Sequence, residues 1–220
     1  MSRLLFAVVA LGLVVSPRML SAAEPAPAKA AKPKPAQTKP AQSEAVAGPK
    51  VAVGEQAPAF KIKDAAGKEI DLAELSAKGP VLVRLTCGCL GCDRELPYFQ
   101  ELHAAYKDQG LISLAVFREP DAKVEAYVQE KKLNMLYAVD SKGESWKVFQ
   151  TKTMPSNFLI AKGGKIINIA QGCDPSGLLA TKISEKVANL VDGEKVDLKA
   201  KVAAKTQAET PAKPTPSAKK

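Results

Sequence analysis

The run Cys87-Gly88-Cys89-Leu90-Gly91-Cys92 constrains this chain more than any other stretch. Its last four residues form a C-x-x-C pair. The apolar run Pro80 to Leu85 precedes it and reads as a buried strand, while Asp93 to Gln109 follows with the pattern of a helix. A cysteine at such a junction sits among unpaired backbone N–H groups, at the positive end of the helix dipole. Both favour the thiolate over the thiol, and the thiolate is the nucleophile in disulfide exchange. The second cysteine, three residues on, reaches back across one turn, so a short disulfide can open and close. Redox chemistry is the reading this placement favours. Half of a structural zinc site and an inert staple are the plainer ones. A zinc site usually takes two such pairs, or one pair with histidines. Here the other cysteines are Cys87 and the distant Cys173, and the chain's single histidine, His103, has no partner at ligand spacing. His103 itself, among polar neighbours, reads as a surface residue.

The ends of the chain bear on how the cysteines are used. Arg3, the twelve apolar residues Leu4 to Val15 and the small residues Ser21-Ala22-Ala23 together read as a secretory signal over residues 1–23. Twelve apolar residues fall short of the roughly 20 that span a bilayer. The expected location is therefore the periplasm or another exported compartment, with cleavage near Ala23. There, exposed thiols tend to become disulfides unless a dedicated partner keeps them poised. Residues 24–50 are Ala, Pro and Lys in loose near-repeats and read as a disordered, polyproline-rich linker. Residues 192–220 have the same flavour and read as a basic disordered tail. Of the net charge of +9, the first fifty residues carry +5 and the last 29 carry +3, which leaves residues 51–191 nearly neutral. With no aromatic residue after residue 23 in either basic segment, the footprint of a nucleic-acid binder is missing. Solvated spacer is the expected role of the tails, and weak contact with an anionic envelope surface is the alternative.

Residues 51–191 make one domain of ordinary size. Lys61 to Lys63 and Lys68 to Leu72 flank Asp64-Ala65-Ala66-Gly67, a hairpin signal. Val81 to Leu85 and Leu111 to Phe117 read as buried strands, Glu119 to Lys132 as an amphipathic helix and Met135 to Val139 as a strand. Glu144 to Gln150 reads as a short helix, Asn157 to Ala161 and Lys165 to Gln171 as a second hairpin, and Pro175 to Val191 as the closing helix. Pro97 falls inside the helix after Cys92, where it should kink the chain. Trp146, Phe149 and Phe158 read as core. Alternating strands and helices that end in a hairpin imply an α/β fold, a central mixed sheet with helices on both faces.

This order resembles the thioredoxin-like fold, and more narrowly the exported thiol–disulfide oxidoreductases of the redoxin and alkyl-hydroperoxide-reductase group. Val53-Gly54-Glu55-Gln56-Ala57-Pro58-Ala59-Phe60 is similar to that group's G-x-x-A-P-x-F opening. Asp64 to Lys68 matches its D-x-x-G-K hairpin, Cys89 to Pro97 its C-x-x-C-x-x-E-L-P segment, and Met154 to Ile160 its x-P-x-x-F-L-I run. The resemblance implies that Cys89 is the attacking thiolate and Cys92 the resolving thiol. It makes Pro155 a cis-proline facing the pair and Met154 a source of backbone hydrogen bonds to an extended substrate. The implied partners are a protein thiol or disulfide substrate and a redox partner that resets the pair. Cys173, after the last strand, is expected near the active-site surface.

The chain also departs from the group. Leu85-Thr86-Cys87-Gly88 replaces an aromatic-rich approach, Gly91 replaces the proline or histidine common before the second cysteine, and Val83 or Arg84 stands where relatives keep an acidic or amide residue. An arginine there would hold a thiolate. Cys87 and Cys173 could form a second bridge, or all four cysteines could hold zinc or Cu(I). A thiol peroxidase using Cys92 is a further alternative, because Cys92-x-x-Glu95-Leu96-Pro97 also resembles a peroxiredoxin helix start. No phosphate loop, Ser/His/Asp arrangement or paired-carboxylate signature occurs, and no cofactor is implied.

Overall fold

The computed structural model describes residues 50–209. The expected signal, nearly all of the linker and the last eleven residues of the tail lie outside the described residues.

A two-stranded hairpin opens the fold: β1 (Lys61–Lys63) pairs antiparallel with β2 (Glu69–Asp71). Asp64 makes the turn by accepting the backbone N–H groups of Ala66 and Lys68 through Oδ1, each at 2.9 Å. Asp71 then caps α1 (Leu72–Lys78), its Oδ1 accepting the N–H of Ala73. There follow β3 (Val81–Thr86), α2 (Leu90–Tyr106), β4 (Ile112–Phe117), α3 (Asp121–Glu130) and β5 (Leu136–Val139). The chain continues through α4 (Glu144–Val148), β6 (Ser156–Ile160), β7 (Ile166–Gln171), α5 (Leu178–Leu190) and α6 (Leu198–Glu209). The main sheet has the order β5-β4-β3-β6-β7. β3 runs parallel to β4 and antiparallel to β6, so the sheet is mixed, as expected.

β3 is buried along its whole length, and its side chains alternate between two cores. Leu82 faces the core built on α2, α3 and α5, with Phe99, Leu102, Val124 and Ile183. Val81, Val83 and Leu85 face the opposite core, where Trp146, Phe149 and Phe158 pack as expected of them. The alternation places Arg84 on the α2 side, under the cysteine-bearing helix.

Three expectations change. α1 was not legible as a helix in the sequence. The stretch read as a disordered tail from residue 192 instead folds back over residues 198–209. Leu198 is fully buried in the α2 core, Asp197 Oδ1 accepts the N–H of Ala200, and Lys205 pairs with Glu101 of α2 at 3.1 Å. The physical reason is that Ala and Lys, read as disorder-promoting, are also good helix formers, and Leu198 gives the helix a buried anchor. The end of the chain past Glu209 lies outside the described residues. His103 is half-buried rather than a surface residue. Its Nδ1 lies 3.1 Å from Ser113 Oγ, and burial, helped by nearby Lys107, pushes its pKa down.

Candidate active site

Cys89 is the N-cap of α2: its backbone is extended (φ −80°, ψ 159°) and its carbonyl accepts the N–H of Asp93 at 2.9 Å. No side chain of the usual capping kind fills this position, so the sulfur occupies the place where an N-cap oxygen ordinarily meets the free N–H groups. Cys89 is exposed, whereas Cys92 and Cys87 are buried at 2% and 8% exposure. The Sγ atoms of Cys89 and Cys92 lie 3.4 Å apart, and those of Cys87 and Cys92 3.5 Å apart. Cys92 is therefore the central sulfur of three.

Burial alone would raise the pKa of Cys89, but it is outweighed. Once ionised, Cys89 is favoured by the neighbouring Cys87 thiol, the Cys92 backbone N–H and thiol, and the Gly91 N–H, which draw its pKa below the ordinary thiol value. For Cys87 the balance runs the other way: burial pushes its thiol far up, and donating to Cys89 and Cys92 adds to the shift. Proximity to the helix start is thus not the deciding factor: Cys87, two residues before the N-cap, is pushed the opposite way by its burial.

Beneath the cysteines lies a polar network that sequence reasoning did not assemble. Arg84 Nη2 donates to Glu95 Oε2 at 2.8 Å, Arg84 Nη1 donates to Asn157 Oδ1 at 2.9 Å, and all three residues are buried. The guanidinium lies over the Phe99 ring, 4.1 Å from its centre. Glu95 spends its other oxygen on the backbone N–H of Asp174, at 2.6 Å. Arg84 is therefore committed to a carboxylate and an amide, which corrects the expectation that it holds a thiolate. The available signal was a charge on each of two otherwise apolar faces, Arg84 in β3 and Glu95 in α2.

The network also sets the position of Cys173. Asp174, tied to Glu95, accepts the N–H groups of Ser176 and Leu179 and so fixes the loop ahead of α5. Cys173 is exposed, and its thiol donates to the Gly91 carbonyl at 3.1 Å. A Cβ on Gly91 would stand 3.1 Å from that sulfur, so a larger residue there would make the exposed Cys173 side chain shift. Burial and the charge of Glu95 raise the Cys173 pKa. Cys87 meets Cys92 here, not Cys173, so the second bridge read from the sequence does not correspond to the observed contacts.

The Met154–Pro155 peptide bond is cis. Ser156 pairs with Leu85, so the chain just ahead of β6 lies beside the end of β3 that leads into Cys87. The Pro155 carbonyl accepts the N–H of Gly172 at 2.9 Å, bringing the Cys173 loop to the same edge. Met154 is half-buried and Pro155 buried. Among the described residues, the candidate metal-holding group is Cys87, Cys89 and Cys92, whose sulfurs all lie within 4.8 Å of one another.

The model of the AhpC/TSA family matches residues 53–169. The thiol-disulfide oxidoreductase ResA of Bacillus thuringiensis subsp. konkukian (strain 97-27) is 35% identical over 124 residues, 56% of this chain and 72% of that protein. ResA of Geobacillus thermodenitrificans (strain NG80-2) is 35% identical over 123 residues, 56% of this chain and 71% of that protein. Among solved structures, a thiol:disulfide interchange protein from Bacteroides sp. superposes with a TM-score of 0.53 at 24% identity, covering 66% of this chain and 93% of that one, and supports the fold. With the family's model spanning more than half the sequence and relatives this similar along it, the chain belongs to the AhpC/TSA family, as a thioredoxin-like oxidoreductase.

Proposed function

We propose that this protein is exported and exchanges disulfides with a protein partner, with Cys89 as nucleophile and Cys92 as resolving thiol. The observation that carries this reading is the exposed Cys89 at the head of α2, favoured as thiolate, with Cys92 Sγ at 3.4 Å behind it. In the reducing direction, Cys89 attacks a substrate disulfide, forms a mixed disulfide and expels one substrate thiolate. Cys92 then attacks Cys89 Sγ as its proton passes to the departing substrate sulfur, which leaves as the second thiol, and a Cys89–Cys92 disulfide remains. Two electrons pass to the substrate, and the redox partner returns them.

An extended substrate segment would lie along Met154 and Pro155, beside the end of β3. Leu90, next to Cys89 and 68% exposed, offers it an apolar contact. The export reading rests on Arg3, the apolar run Leu4 to Val15 and Ser21-Ala22-Ala23. A peroxidase using Cys92 is disfavoured, because that residue is buried, with its sulfur against the exposed Cys89.

One experiment tests the reading. Cys92→Ser is expressed from the full sequence, and disulfide-linked complexes are isolated from the cell envelope. A mixed disulfide through Cys89 is expected, on a chain that begins just after Ala23. Cys89→Ser is expected to form none and to lose insulin reduction altogether. Complexes that form equally well without Cys89, or a chain that keeps Met1 and stays in the cytoplasm, would remove the corresponding half of the proposal.

A further inference from the structure

Three thiols in mutual contact exceed what disulfide exchange requires, since a C-x-x-C pair already completes the chemistry. Cys87 is the surplus one. It arrives from the end of β3, is buried, and turns its sulfur to within 3.5 Å of Cys92. With Cys89 Sγ also 3.4 Å from Cys92 Sγ, and all three sulfurs within 4.8 Å, the group forms a compact triangle at the head of α2.

The size of that triangle is informative. Three thiolates around one ion at a metal–sulfur distance of about 2.3 Å stand about 4 Å apart when the ion lies in their plane. The two short contacts, 3.4 and 3.5 Å, fall about half an ångström below this value, and the third pair lies within 4.8 Å, so small sulfur shifts would admit an ion. The donor set is all sulfur, which selects thiophilic ions such as Cu(I) and zinc. It has three members, not four. Cys173 lies outside the triangle with its thiol on the Gly91 carbonyl, and the chain's single histidine is engaged with Ser113 on α2's other end. A planar trithiolate suits Cu(I), whereas zinc calls for a fourth ligand.

The surroundings fit an anionic cluster. The free N–H groups of the first turn of α2 lie beside Cys89. Two of the ligands are buried and one is exposed, which gives the ion a sheltered seat with one side open for entry.

We propose that the reduced protein binds one Cu(I) through Cys87, Cys89 and Cys92, as a site distinct in ligand count from the redox pair. Binding exchanges up to three thiol protons for one ion and moves no electrons. While the ion is bound, Cys89 is occupied and disulfide exchange stops. The proposal stands apart from the functional reading above, because metal-free protein can reduce insulin whether or not it binds copper.

The test is an anaerobic titration of the reduced protein with Cu(I) against a coloured Cu(I) chelator, with native mass spectrometry and X-ray absorption on the loaded sample. One Cu(I) per chain is expected, with three sulfur neighbours. Cys87→Ser is expected to weaken binding at least tenfold, and Cys173→Ser is expected to leave binding unchanged. Circular dichroism of each variant establishes that it is folded. Should Cys87→Ser misfold, the sulfur count on the wild-type protein decides alone: three supports the site and two overturns it. Absence of stoichiometric Cu(I), retention of full affinity in folded Cys87→Ser, or preference for zinc over Cu(I) would likewise overturn it.

Discussion

Cys89 and Cys87 are two residues apart, yet their surroundings drive them in opposite directions. Cys89 receives hydrogen bonds at an exposed helix start and favours the thiolate, whereas Cys87 is buried and donates. Iodoacetamide applied to the reduced protein at pH 7 is therefore expected to label Cys89 first, with Cys87 and Cys92 slow, as read by peptide mass mapping. The labelling rate at Cys89 should hold as pH falls below the ordinary thiol value of about 8.5 and decline only through its lowered folded value. Stability has the matching sign: the Cys89 contribution is present above the unfolded pKa and fades as pH falls through the folded one. That of Cys87 is present below the unfolded pKa and is lost as pH rises towards its raised folded value. First labelling at Cys87 or Cys92 would reassign the nucleophile. Arg84 makes a second residue-scale case. Arg84→Met strands the Glu95 carboxylate in the interior, and breaking a buried pair in this way costs about 3–5 kcal/mol. Adding Glu95→Leu should restore much of the loss, as measured by urea unfolding of the reduced protein. Equal stability of Arg84→Met and wild type would mean that the buried Arg84–Glu95 pair contributes nothing net.

At the scale of elements, α2 is the member on which the rest converge. It carries Cys89 and Cys92 at its head, Glu95 in its second turn and Glu101 towards its middle, and it receives α5 and α6 on its flank. The sequence made α2 legible through the apolar strand before it and the spacing of its cysteines, and the hairpins through Asp64-Ala65-Ala66-Gly67 and Lys162-Gly163-Gly164. It did not disclose α1, a seven-residue helix that buries only Leu72 and Ser76 and so lacks a readable apolar stripe. Nor did it disclose α6, whose burial depends largely on Leu198. Leu198→Ala is expected to cost about 2–5 kcal/mol, the usual range for a buried leucine. It should also loosen α6 from α2, seen as faster amide exchange over residues 198–209 with the strands unaffected. Unchanged exchange there would show that α6 is held by contacts other than its leucine.

For the molecule as a whole, the sheet order and its two cores follow from patterns a few residues long, which is why the fold could be read in advance. The site could be read only in part. Arg84 meets Glu95 and Asn157, and Cys173 meets Gly91, because α2, β6 and the loop before α5 close over β3. Such pairings between distant segments leave no periodic trace in a sequence. The near-neutral domain between basic ends likewise shows that the net charge of +9 describes the termini more than the active-site surface. The triangle of sulfurs has one more consequence, and it is a matter of parity. Three mutually adjacent thiols cannot all be paired within their own cluster, so each singly bridged form leaves one sulfur over. Cys92, the shared neighbour, belongs to both short contacts, which makes Cys89–Cys92 and Cys87–Cys92 two isomers of the same oxidation state. One isomer presents an exposed disulfide and hides a thiol; the other hides the disulfide and presents a thiol.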